Sequence, residues 1–352
     1  HTGKANSTVV IAEDVVVTGN SIDIAAENDV MHIAATFGGG EAGNTGISGM
    51  GAYMSGESDS IVVVDDDAKL NANTKAFTKD NFVDTEIEDA DERDKAAQEA
   101  YDEAVAKNGA ITITAFNDTN IQNIILDKTS GSNTAIGASV GVVEYSINNI
   151  AAIANNAGNV PNELSSLVHG KLAVKDKYNG EDLVYSLNNF LGEDSFNEAI
   201  TGEVNANKLV IDAMTTGIID NITVAGVSSG KSSTGTSSSS GGGFGIPAKI
   251  GVAGSVSYND ISGTTGAYLE NTAVDMVAAQ TGHPVSEDNE TVKVTAEDDV
   301  MIGAYSGAAA LKKGGASSSG GSASATLAGA VAMNESTKKV VAQIKKAQIK
   351  NA

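Results

Sequence analysis

The twenty residues from Gly254 to Ala273, GSVSYNDISGTTGAYLENTA, lie without gaps on Gly49 to Ala68, GMGAYMSGESDSIVVVDDDA, and on Gly329 to Gln348, GAVAMNESTKKVVAQIKKAQ. The shared pattern is a run of Gly and Ala, a polar turn, and a short apolar strand ending in acidic or amide residues. Gly141 to Asn156, GVVEYSINNIAAIANN, fits as a fourth copy if its turn is about two residues shorter. A second shared segment precedes each copy. Ile24 to Ala34, IAAENDVMHIA, matches Val294 to Ala304, VTAEDDVMIGA, and Ile113 to Ile121 carries the same motif, with looser counterparts at Leu209 to Ala213 and Ile222 to Ala225. Repetition at a fixed pattern marks a solenoid, in which each unit buries its apolar face only against its neighbours.

Within each unit apolar and polar residues alternate, as in Ile22-Asp23-Ile24, Ile111-Thr112-Ile113 and Val292-Lys293-Val294. A period of two marks half-buried strands. Asn28-Asp29, Asn117-Asp118 and Asp298-Asp299 recur at one place, and Asn and Asp suit corners because they bond their own backbone. Short strands joined by such corners predict an all-β, right-handed parallel β-helix, with about a dozen coils of roughly 20 to 25 residues and a rod of about 55 Å. Val9 to Val17 resembles the tail of a preceding unit and the stretch after Lys338 lacks a closing segment, so residues 1–352 are expected to be one β-helical piece of a longer array.

Three segments interrupt the pattern. Asn73 to Asn108 carries eleven acids and five bases, and Ile87, Ala90, Ala97, Tyr101, Ala104 and Val105 share one face of a helix expected over Glu86 to Lys107. Pro161 to Asn207 spaces Leu164, Leu167, Val168, Leu172, Leu183, Leu187, Phe190 and Leu191 at three and four, which reads as two short helices. Ser228 to Gly243, SSGKSSTGTSSSSGGG, is expected to protrude as a loop. Solenoid insertions sit on one face, often the binding face.

Composition bounds the function. Aromatics are 4%, Trp is absent and Pro occurs three times, a palette for closely stacked strands. Without Cys there are neither disulfides nor thiolate metal sites. A net charge of −23 disfavours nucleic acid as a partner. The exception is Lys338, Lys339, Lys345, Lys346 and Lys350, read as the solvated face of a terminal strand or a contact to an acidic neighbour or glycan. His1, His32, His169 and His283 are scattered, and His32 occupies the position of Ile302, so it reads as a strand residue. Neither a nucleophile elbow nor a phosphate loop is present. Asp65, Asp66 and Asp67 are candidate carboxylates, but the same positions hold Glu270-Asn271-Thr272 and Lys345-Lys346-Ala347 elsewhere, which favours a solvated turn. Those Asp residues with Asp298 and Asp299 are the sole calcium candidates, without either recognised loop motif. The sequence therefore assigns no catalytic, cofactor or metal residue.

Ala253-Gly254-Ser255-Val256-Ser257-Tyr258-Asn259, a turn, and Gly266-Ala267-Tyr268-Leu269-Glu270-Asn271-Thr272-Ala273-Val274 resemble the repeats of leukotoxin-family filamentous adhesins. These very large proteins of anaerobic diderm bacteria are similar in style to filamentous haemagglutinin and autotransporter passengers. The resemblance covers the four units and neither helical insertion. It implies secretion to the bacterial surface, a β-helical stalk and a role in attachment to or toxicity for host cells. The expected function is a non-enzymatic spacer whose insertions contact a host protein or glycan, without nucleic acid or membrane contact by this segment. The alternatives are a β-helical lyase or glycosidase, for which a chain with Arg93 as its one arginine is poorly equipped, and a structural surface-layer repeat.

Overall fold

The computed structural model describes residues 1–12, 14–64, 68–131, 133–154, 200, 202–229, 249–278, 280–312, 324–345 and 347–352. Three parallel sheets are built by a chain that visits them in rotation. The first sheet holds β3 (Ile22–Ala42), β6 (Ala110–Gly131), β9 (Lys208–Ser229) and β12 (Thr291–Lys312). The second holds β1 (Thr2–Ile11), β4 (Thr45–Val64), β7 (Thr134–Ala154), β10 (Lys249–Glu270) and β13 (Ser324–Lys345). The third and shortest holds β2 (Val16–Gly19), β5 (Lys69–Ala72), β8 (Gly202–Ala206), β11 (Thr272–Met276) and β14 (Gln348–Lys350). Strands that pair only in parallel and recur in this order are consistent with a parallel β-helix.

The coils are fewer and wider than the sequence predicts. β3, β4 and β5, the strands of one coil, run for 21, 20 and 4 residues. The second sheet is therefore five strands deep, about 20 Å at 4.8 Å per strand. The predicted corners lie inside strands: Asn28, Asn117 and Asp298 share one column across the first sheet, with Thr215 at the remaining place. The offsets of the repeats are those of the ladder, since Gly49, Ala138, Gly254 and Gly329 are in register. That register corrects the fourth copy, which begins at Ala138 rather than Gly141 and needs no shortened turn.

Two kinds of packing explain the long strands. At one end the start of the first sheet, the end of the second and the third sheet enclose a common aliphatic core of Ile24, Ile113, Ile211, Val62, Ile153, Leu269, Leu70 and Val204. Beyond it the first and second sheets face each other as a two-layer arm around Met54, Ile121, Val143, Ile147, Ile219 and Ile261. Alternation of buried with half-buried or exposed residues along β6 after Ala110 fits that two-layer design. Each fully buried Ile or Leu contributes about 1.5–3 kcal/mol.

Between the two cores lies a buried polar seam. Asn28 Nδ2 donates to the Ala5 carbonyl at 2.6 Å and to Ser58 Oγ at 2.9 Å, while Ser58 Oγ donates to Asn117 Oδ1 at 2.9 Å. One coil on, the Thr215 and Thr265 hydroxyls meet at 2.7 Å, and Thr265 donates to Asp298 at 2.9 Å. Asp298 also pairs with Lys338. Asn28, Asn117 and Asp298 are residues whose turn chemistry suggested corners; in the fold they bond across the sheets.

Of the insertions, the first contains a 3-10 turn at Lys79–Phe82 and helix α1 at Ala90–Lys107. The expected helix thus starts four residues later, at the Asp89 cap that accepts the Asp91 and Glu92 amides. The second expected insertion falls largely outside the described residues, and its end, Gly202–Ala206, is strand β8. Most of the Ser/Gly segment also lies outside them, while Ser228 and Ser229 belong to β9.

Candidate functional site

The first insertion leaves the coil after β5 and returns at β6, a crossing that the preceding coil makes from β2 to β3 with Asn20 and Ser21 alone. The corner continues the ladder: Gly109 N–H donates to Asn20 O at 2.7 Å, and Asn207 N–H to Gly109 O at 2.7 Å. Asn108, itself buried, ties the two ends of the insertion together. Its Oδ1 accepts the Lys75 amide at 2.8 Å, and its Nδ2 donates to the carbonyls of Lys75 at 2.9 Å and Pro284 at 2.7 Å.

Above this anchor the insertion has a small aromatic core. Phe77 and Phe82 meet edge to face at 5.6 Å, and Tyr101 of α1 closes the triangle at 5.8 and 6.2 Å. The Lys79–Asp94 pair at 2.8 Å and the Arg93 bond to Ile87 O at 3.0 Å hold the approach to the helix. Between core and coil opens a groove of about 490 Å³, lined by Asn20, Ser21, Lys75, Ala76, Phe77, Asn81, Phe82, Ala104, Lys107 and Asn108. Aromatic residues, side-chain amides and two lysines line it, in a chain that is otherwise strongly acidic. Glu103 lies 2.6 Å from Lys107 and raises its pKa, so Lys107 stays cationic. The lining contains no Asp, Glu or His; it can hold a polar ring and an anionic group, but it presents no acid–base pair to a bound molecule.

The other candidates disperse. Asp298 is engaged by Lys338 and Thr265, and Asp299 lies on the opposite side of the strand. Asp65, Asp66 and Asp67 lie outside the described residues, among which no group of three metal-ligating side chains occurs. His32 shares its column with Ile121, Ile219 and Ile302, and its ring packs on Tyr145 at 5.9 Å. The basic stretch is not one solvated face: Lys338 points inward with its pKa lowered by burial against the opposing pull of Asp298, and Lys345 lies 3.8 Å from Glu270.

Sequence reasoning missed Glu57 and Asp59, two buried carboxyls on one face of β4. Lys4 pairs with Glu57 at 2.6 Å and Asn148 Nδ2 donates to Asp59 at 2.9 Å. Burial first, then the bond from and charge of Glu57, push Asp59 up to about 8, so the pair holds a proton at neutral pH. The signal was the Glu-x-Asp spacing at strand period, which places both on one side. No family model, curated protein or solved structure matches the chain.

Proposed function

We propose that this chain is a non-enzymatic segment of a right-handed β-helical stalk from a large secreted or surface-exposed bacterial adhesin, and that the groove of its first insertion binds an acidic sugar of a host glycan. The observation that carries the reading is the groove itself, with Phe77, Phe82, Asn81, Asn108, Lys75 and Lys107 assembled on a helix-bearing excursion from a regular scaffold. Aromatic rings offer apolar faces and edges to a sugar ring, the Asn81 side-chain N–H groups can meet a hydroxyl, Asn108 holds the floor of the groove in place, and the ammonium groups suit a carboxylate or sulfate. Right-handed winding accords with the hand of nearly all parallel crossover connections. The stalk role is supported by uninterrupted parallel ladders, which make stiffness a property of the backbone.

The test is a glycan array probed with the intact chain, with Lys75→Gln/Lys107→Gln, and with a variant in which residues 73–110 are replaced by Asn-Ser, the two residues that make the same crossing between the register-matched Gly19 and Ile22 one coil earlier. Sialylated, uronylated or sulfated glycans should bind the intact chain, the double variant should bind them at least about tenfold more weakly, and the deletion should not bind. Absence of binding by the intact chain, or equal binding by the deletion, would sink the assignment.

A further inference from the structure

The outer face of the second sheet, where it forms the two-layer arm, carries columns that the fold does not need. Ile47, Ile136, Val252 and Leu327 stack in one column, and Gly49, Ala138, Gly254 and Gly329 in the next. The third holds Gly51, Val140, Val256 and Val331, and the fourth Tyr53, Val142, Tyr258 and Met333. This is an exposed apolar surface: Ile47 is 68% and Leu327 67% accessible, and Tyr53, Val140, Val331 and Met333 are exposed as well.

The small-residue column has no internal cause. A Cβ added at Gly49, Gly254 or Gly329 meets no atom within 4 Å, and none of the three has a positive φ. Neither crowding nor backbone conformation asks for glycine there, and glycine weakens a strand interior. Three of four coils nevertheless keep it, and the fourth has Ala, leaving a valley between aliphatic ridges. Space kept open at a cost to the strand is space for something outside the chain.

The fifth column decides the partner. It reads Ser55, Glu144, Asp260 and Glu335. Tyr53 donates to Glu144 at 2.5 Å and Tyr258 to Glu335 at 2.9 Å, which fixes the carboxylates beside the apolar columns. Among the described residues no cation pairs with these three acids. Burial, and after it Glu335 and Glu144, raise the pKa of Asp260, as expected of negative charge gathered without a counter-charge.

The geometry points to a docking surface for a cationic amphipathic polypeptide, whose apolar ridge enters the glycine valley and whose Lys or Arg side chains meet the acidic column. A second copy of this chain fits poorly. Both copies would bring the same acids to the contact, and the face, about 20 Å by 14 Å from strand geometry, falls well short of the roughly 800 Å² per partner of a stable dimer.

The probe is a fluorescein-labelled helical peptide of Leu and Lys with one apolar face, compared with its Leu–Glu counterpart by fluorescence anisotropy against the intact chain. Because any polyanion attracts a cationic peptide, the deciding variant changes no charge. Gly254→Val/Gly329→Val should bind the Leu–Lys peptide at least about tenfold more weakly, while its urea midpoint stays level or rises. Glu144→Gln/Asp260→Asn/Glu335→Gln should also lose roughly tenfold and much of the salt dependence. The proposal is overturned if the glycine variant binds as tightly as the parent, if the Leu–Glu peptide binds equally, if the parent binds the Leu–Lys peptide no better than about 1 mM, or if sedimentation shows a dimer that the glycine variant abolishes.

Discussion

Glycine does opposite jobs at different positions of this chain. Gly217 and Gly263 lie near the seam with φ of +144° and +131°, and an added Cβ would stand 2.0 Å from Thr119 O and 1.9 Å from Ile147 O. There the backbone of the preceding coil approaches so closely that only hydrogen fits. Gly217→Ala or Gly263→Ala should therefore cost about 2 kcal/mol or more, whereas Gly254→Val should gain about 0.5–1 kcal/mol by raising strand propensity. Urea denaturation of the three variants checks both signs. The sequence showed that Gly is abundant and recurrent, but not which glycines are strained. That distinction rests on distances to neighbouring coils, which a linear pattern does not contain.

At the scale of the element, β4 combines an alternating stretch with a segment buried on both faces, and the doubly buried part holds Glu57 and Asp59. A carboxyl with a folded pKa of about 8 and an unfolded value near 3.9 binds more protons in the folded state across that interval. Its contribution to stability is therefore greatest at acid pH and declines as pH rises from about 4 to 8. Asp59→Asn keeps an acceptor for Asn148 and removes the titration. It should flatten the fall in stability between pH 5 and 8 and leave the variant more stable than the parent at pH 8. Urea midpoints at three pH values decide it; an unchanged slope would mean that Asp59 is ionised in the fold. Period two announced the strands, yet Asn28-Asp29 and its counterparts divided them in two on paper. A polar residue bonded across two sheets has the composition of a turn residue, and composition alone does not say where its partners are. The groove was legible only as an insertion with a helix: the helix face included Tyr101, but nothing in the spacing joined it to Phe77 and Phe82.

For the whole molecule, stability passes from coil to coil, because each inner long strand is bonded to the equivalent strands of the preceding and following coils. β7 has β4 on one side and β10 on the other, whereas among the described residues β13 pairs with β10 alone and is exposed along most of its length. Amide hydrogen exchange should accordingly be slowest in β6, β7, β9 and β10 and at least about tenfold faster in β13 and β14. Uniform protection along the axis would contradict a nearest-neighbour account. The repeat offsets of 205 and 75 residues gave the register of the second sheet correctly, because columns are what repetition at aligned positions means. Coil number was misjudged for the same reason that strand length was: each coil spends its residues on two long strands and one short one.

The tips of the two-layer arm are joined by segments of very unequal length, two residues between β3 and β4, two between β6 and β7, nineteen between β9 and β10 and eleven between β12 and β13. The ladders on either side keep their register regardless. The scaffold is therefore indifferent to the length of chain spliced in between these strands, and a foreign epitope placed between Ala42 and Thr45 would be displayed at a height set by coil number, which makes the rod a ruler for antigen presentation.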